Sequence, residues 1–240
     1  MKNNLKVAVI GAMDCEINTL KECLKDIETI EYGKLTVFKG RIGNNEIILT
    51  KSGVGKVCAA INTQFIIDKF QPDCIINTGV AGGIAQELEV GDIVIATGAI
   101  RMEGTSKEYA PIEFPAVANL DITNALVQSA KNLGYNWHAG IVQCKDSFYG
   151  QHNPEKMPVN YELQSKWDAW KKMGCLASEM ESAALFIVGS FLKVKVGSVF
   201  LTVANQEREK LNLENPIEHD TDKAIKTAIE AIKVLIEGVK

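Results

Sequence analysis

Short β-branched runs alternate along the chain with stretches whose apolar residues recur every three or four positions. Lys6 to Ile10 (K-V-A-V-I) ends in Gly11 and reads as a buried parallel strand feeding a turn and a helix. Leu35 to Ile42 and Glu46 to Lys51 read as two strands joined by a hairpin-type turn at Gly43, Asn44 and Asn45. Ser52, Gly53, Val54, Gly55 and Lys56 then lead into a helix carrying Ala59 and Ala60. Asp73 to Ile76 is another buried strand, followed by Asn77 to Gly83, and Val90 to Ile95 starts one that continues towards Arg101. Residues 102 to 120, with Pro111 and Pro115, read as a long surface loop.

The second half repeats the alternation. Asp121 to Leu133 is an amphipathic helix with Leu126, Val127 and Ala130 on its apolar stripe, and Gly134 stops it. Ala139 to Cys144 is a strand, His152 to Asn160 a polar and mobile segment, and Tyr161 to Met173 a helix. The pattern predicts a helix over Glu179 to Leu192, a buried strand over Lys195 to Ala204 and a charged loop over 207 to 219. The last helix, Thr221 to Val239, carries a core stripe at Ala224, Ile225, Ala228, Ile229, Ile232 and Leu235. Such alternation predicts one domain over residues 1 to 240, a three-layer α/β/α sandwich with a mixed central sheet.

Composition narrows the partners. Of 240 residues 46% are hydrophobic and 23% charged, with net charge −4, which fits a globular chain without a basic face for nucleic acid or a polybasic run for a membrane surface. No targeting segment or membrane span is apparent, so a cytoplasmic protein acting on small molecules is expected. The six cysteines have no C-x-x-C spacing and read as reduced thiols. His138, His152 and His219 lack metal-ligand spacing, so no metal is expected.

The candidate chemistry centres on Ser178 to Leu185, where Glu179 and Glu181 flank Met180 before an apolar run. Ser178 and Glu181 fit an S-x-x-E capping box. Alternatively, one ionised glutamate grips adjacent hydroxyls of a sugar and favours a positively charged transition state, with the methionine against the ring. Glu16 follows the first strand, where open α/β sheets bind ligands, although Asp14 and Glu16 also suit a helix start. The glycine-rich end Asn77 to Gly83 either presents amides to a ligand or makes a tight turn. Phe148 is either a platform for a flat base or core. Gly53-Val54-Gly55-Lys56 is too short for a Walker A loop.

These segments resemble the nucleoside phosphorylase and nucleosidase superfamily over nearly the whole chain. Ile10 to Glu16 (I-G-A-M-D-C-E), Lys51 to Val57, Ile75 to Gly83 and Val90 to Val94 are similar to the 5′-methylthioadenosine/S-adenosylhomocysteine nucleosidases. Tyr109 to Ala118, Asp146 to Tyr149 (D-S-F-Y), Gln151 and Glu179 to Ala183 (E-M-E-S-A) are more similar to the uridine phosphorylases. The resemblance implies that Glu181 holds the ribose hydroxyls, Met180 lies on the ribose and Phe148 stacks on the base. Met13, Val54, Ala81, Gly82 and Glu179 then line the pocket, while Gln151 matches a uracil-reading glutamine whose companion arginine is Asn153 here.

The phosphate-binding arginines and threonine of the phosphorylases correspond to Glu16, Asn77, Val80 and Gly33, the last beside Lys34. A carboxylate there repels a phosphate dianion. The resemblance therefore implies first a nucleoside N-ribosyl hydrolase of the methionine-salvage kind, with water activated by Glu16 and no cofactor. Thr202 takes the place of the nucleosidases' leaving-group aspartate, with Asn205 three residues on. The alternatives are a uridine phosphorylase-like enzyme with an altered phosphate site, using Lys34 and the amides of Gly79 to Gly83, and a nucleoside-binding protein without catalysis. The resemblance also implies a homo-oligomer, either a dimer or a hexamer of dimers.

Overall fold

The computed structural model describes residues 4–101, 104–216, 218 and 221–237. The first residues of the N-terminal segment, the start of the loop at 102, His219 and the end of the last predicted helix lie outside the described residues.

The elements run β1 (Lys6–Gly11), α1 (Asn18–Cys23), β2 (Lys25–Tyr32), β3 (Leu35–Ile42), β4 (Asn45–Lys51), α2 (Lys56–Phe70), β5 (Cys74–Gly83), β6 (Ile93–Arg101) and β7 (Ala116–Val117). They continue with α3 (Leu120–Asn132), β8 (Trp137–Cys144), α4 (Phe148–His152), α5 (Asn160–Lys172), β9 (Ala177–Glu179), α6 (Ser182–Leu192), β10 (Lys195–Asn205), α7 (Gln206–Lys210) and α8 (Asp222–Glu237). The strands form one mixed sheet in the order β10-β6-β8-β9-β5-β1-β4-β3-β2, with β7 paired to β6. β10 also pairs in parallel with β5, so β5, β10, β6, β8 and β9 close into a ring at one end of the sheet.

Successive strand side chains point to opposite faces, so each apolar strand feeds two cores. Ala8, Ile10, Ile48, Ile75 and Val94 pack on the side of α2 and α6, against Ala59, Ile66, Leu185 and Phe186. Val7, Val9, Ile47, Leu49, Ile76 and Ile95 pack on the other side, against Leu20 of α1, Ile122 and Leu126 of α3, and Ile225, Ala228 and Ile232 of α8. Helices cover both faces of the sheet, which is the α/β layering expected.

Several local expectations are corrected. β2 (K-D-I-E-T-I-E-Y) is an edge strand with nearly every side chain exposed, and a bulge interrupts it between Lys25 and Glu28. A charged edge without a buried face carries no period-two apolar signal. The 102 to 120 segment contains a 3-10 turn at Thr105–Glu108 and the strand β7. The loop predicted from 207 begins with the helix α7, and α4 and a 3-10 turn at Pro154–Lys156 occupy the region after β8. α6 begins at Ser182, three residues later than the sequence pattern indicates, because Ala177–Glu179 is the strand that closes the ring.

Candidate active site

The ends of β1, β4, β5, β8, β9 and β10 meet on one side of the sheet, the position at which α/β folds bind ligands. Glu16 lies there in a short 3-10 turn and is only 3% exposed. Its Oε2 accepts the backbone N–H groups of Ala12 at 2.7 Å and Met13 at 2.9 Å. Burial raises its pKa, and the amides of Met13, Ala12 and Val80 oppose that rise. A Cβ on Gly79 would lie 3.1 Å from Glu16 Oε1, so glycine there leaves the carboxylate its room. The nest of backbone amides is thus filled by the chain's own anion.

Glu181 is the N-cap residue of α6, but its side chain turns away from the helix and accepts the Gly55 N–H at 2.7 Å. Of the two readings of this stretch, the capping box between Ser178 and Glu181 does not form. Glu179 caps instead, its Oε2 accepting the N–H groups of Glu181 and Ser182, both at 2.8 Å. Ser178 is drawn into the ring closure by β9, where its Oγ lies 2.7 Å from Gln143 Oε1 and 2.8 Å from Gln151 Oε1. Glu181 is released for other work. Burial raises its pKa to about 8, with the charges of Glu179 and then Glu16 adding to the rise.

Beyond Ser178 lies a polar cluster at the end of β8. Gln151 Oε1 accepts from Lys145 Nζ at 2.5 Å, and its Nε2 donates to Gln206 Oε1 at 3.2 Å. Gln206 Nε2 lies 2.6 Å from His152 Nδ1. The exposed Phe148 ring lies against the His152 imidazole, with centroids 3.8 Å apart. Phe148 is therefore not core. A cavity of about 810 Å³ opens here, lined in part by Gln143, Lys145, Gln151, His152 and Gln206, and extends to Trp167 and Trp170 of α5. Lys56, fully enclosed, fastens this loop by donating to Cys144 O at 2.8 Å and pairing with Asp146 at 3.0 Å.

The remaining predicted residues separate into two groups. Met13 and Val54 are exposed at the mouths of the β1 and β4 loops, Met180 lies half-buried between the two glutamates, and Ala81 and Gly82 lie on β5. Gly82 is close enough to Gln151 that a Cβ there would lie 3.6 Å from Nε2. Thr202 lies beside Ala81 in the β10–β5 ladder, wholly buried. Asn205, expected at the base, is committed to the fold. Its Nδ2 donates to Ala85 O and Leu88 O, and its Oδ1 accepts from Glu207 and Arg208, which uses every hydrogen-bonding direction of the amide. Asn77 likewise donates inward to Ser198.

Lys145, Gln143 and Gln206 were not singled out by the sequence pattern. The available signal was a glutamine and a lysine at the end of an apolar strand (I-V-Q-C-K), polar residues where an α/β sheet meets its ligand.

Residues 6–237 match the model of the phosphorylase superfamily. The chain is 46% identical to a uridine phosphorylase of Treponema pallidum over 199 residues, covering 83% of this chain and 77% of that protein. It is 25% identical to the uridine phosphorylase of Escherichia coli over 242 residues, 98% of this chain and 95% of the relative. A 5′-methylthioadenosine/S-adenosylhomocysteine nucleosidase of Aeromonas salmonicida is 46% identical over 92 residues, which is 38% of this chain and 40% of that protein. The chain belongs to the phosphorylase superfamily, the superfamily of nucleoside phosphorylases and nucleosidases.

Proposed function

We propose that this protein cleaves the N-glycosidic bond of a uridine-type nucleoside, as a uridine phosphorylase-like enzyme whose acceptor site is altered. The observation that carries the proposal is Gln151, held beside Gly82 by Ser178, Lys145 and Gln206. Gln151 Oε1 already accepts from Ser178 and Lys145, and the second N–H of its Nε2 is left as a donor for a carbonyl of uracil. The relatives named uridine phosphorylase support the same base class. Glu181, which burial keeps protonated up to about pH 8 in the ligand-free protein, meets the ribose hydroxyls, and on ionising it joins Glu16 in favouring positive charge on the sugar as the bond to the base lengthens. Phe148 gives the base a flat neighbour. In this reading orthophosphate is the acceptor and enters beside Glu16, with Lys34, next to the position of an arginine that a neighbouring subunit donates in the phosphorylases, as its cation; the amides of Gly79 to Gly83 are committed to β10, β9 and Glu16.

A second reading takes water as the acceptor, and Glu16 favours it specifically. A buried carboxylate already fills the amide nest, and its raised pKa suits a general base. The nucleosidase match over the first part of the chain supports the same chemistry.

One experiment separates these readings. Uridine, inosine and 5′-methylthioadenosine are each incubated with the protein, with and without orthophosphate, and the sugar product is identified. Uridine cleavage that requires phosphate and yields ribose 1-phosphate supports the first reading. Free ribose formed without phosphate supports the second. Cleavage of 5′-methylthioadenosine alone would overturn the assignment of the base, and tight binding without turnover would overturn catalysis altogether.

A further inference from the structure

Lys145 stands one residue beyond the buried Cys144, and its backbone N–H donates to the Glu179 carbonyl at 2.8 Å. That bond ties the start of its side chain to the segment that presents Glu181. Its Nζ ends 2.5 Å from Gln151 Oε1 and 5.1 Å from the centre of the Phe148 ring. The ammonium therefore lies against the two groups assigned to the base, within the electrostatic reach of Glu181, half-buried and touching a neutral carboxamide. An ammonium has three N–H donors, so the bond to Gln151 leaves donors to point into the cavity that Lys145 and Gln151 line together.

We infer that Lys145 is a catalytic contact to the departing base, donating with Gln151 to the pyrimidine edge on which negative charge collects. This rests on the uridine reading above. When the C1′–N1 bond breaks, its electron pair leaves with the base and spreads over N1 and the two carbonyl oxygens, while the acceptor oxygen bonds to C1′. Lys145 keeps its proton and stabilises a carbonyl oxygen through a charge-assisted hydrogen bond. N1 takes a proton from solvent on release. The arginine that accompanies the uracil-reading glutamine in the uridine phosphorylases corresponds to Asn153 here, and Lys145 brings a cation to the same glutamine from the end of β8.

The surroundings agree. Burial lowers the Lys145 pKa to about 8, while the charges of Glu179, Glu181 and Cys144 hold it up against that burial. His152, on the far side of Phe148, has its own pKa lowered by burial and by the Lys145 charge. The ammonium is thus present at neutral pH and lost just above it.

The test measures single-turnover cleavage of uridine and of 5-fluorouridine, whose base is the better leaving group, by wild type, Lys145→Met and Lys145→Arg. Lys145→Met is expected to slow uridine on the order of 100-fold, with a smaller loss for 5-fluorouridine. Lys145→Arg is expected to restore much of the rate and to move the alkaline limb of kcat/KM from near pH 8 to beyond the accessible range. Equal losses for the two nucleosides, or a loss confined to KM, would mean that Lys145 only holds Gln151 in place. Should Lys145→Met not fold, an unshifted limb in Lys145→Arg overturns the inference by itself. Wild type that cleaves purine nucleosides and no pyrimidine nucleoside overturns the uridine reading, whereas failure of the Lys145 assignment alone leaves wild-type uridine cleavage intact.

Discussion

Glu16 and Glu181 are buried carboxyls that interact electrostatically, and the consequences of each can be measured separately. If water is the acceptor, Glu16→Gln removes the base that activates it and lowers the rate by about 10²- to 10⁴-fold. If phosphate is the acceptor, the same change relieves repulsion, and the rate at subsaturating phosphate holds or rises. Glu181 has a second signature in stability. Its folded pKa of about 8 lies above the ordinary glutamate value, so between about pH 4.5 and 8 the folded chain holds a proton that the unfolded chain has released. Stability from this group is therefore full at the acid end of that window, falls as pH rises through it, and is level above it. Urea melts of the ligand-free protein at pH 5.5, 7 and 8.5 are expected to show wild type losing up to a few kcal/mol relative to Glu181→Gln across the series. Parallel curves would mean that the group titrates normally.

At the scale of elements, the start of α6 shows what the sequence could and could not disclose. Ser178 and Glu181 have capping-box spacing, yet Ser178 faces Gln143 and Gln151 while Glu179 takes the helix amides. Spacing along one segment cannot reveal that β9 pairs with both β5 and β8, which are distant in sequence and which pull Ser178 away from the helix. Glu179→Ala is accordingly expected to cost about 1 to 2 kcal/mol of stability, the range of a lost N-cap, whereas Ser178→Ala costs less and acts chiefly on uridine KM. Chemical denaturation of both variants checks this, and the reverse order would restore the capping box. The buried strands β1, β4, β5, β8 and β10 were legible because apolar β-branched runs ending in glycine or polar residues have few other uses. β2 was not, since its exposed charges carry no such pattern. Asn205 was misread for a related reason: a polar residue at a strand end can serve a ligand or the next helix, and only its four partners distinguish the two.

For the whole molecule, binding at the joined strand ends stabilises the folded state by mass action. Uridine at 100 times its Kd is expected to raise stability by about 2.7 kcal/mol, read as a higher thermal midpoint. Orthophosphate alone separates the acceptors, since it raises the midpoint only if the amide nest admits an external anion beside Glu16. The family resemblance further leads to the expectation of a dimer or larger assembly in sedimentation velocity, and a monomer at micromolar concentration would contradict it. Among the described residues no helix is long and apolar enough to cross a membrane.

Closure of the ring by β9 gives three residues within four positions three different employers. Ser178 serves the side-chain amides of Gln143 and Gln151, Glu179 the helix start, and the stretch that follows presents Glu181 to the Gly55 amide. An insertion or deletion of one residue between Ala177 and Ser182 would turn every one of these side chains to the wrong tenant at once. Laboratory exchange of specificity between relatives should therefore move this stretch as an undivided cassette together with the strand partners that fix its register, and piecemeal grafts across it should give chains that have lost both halves of their recognition.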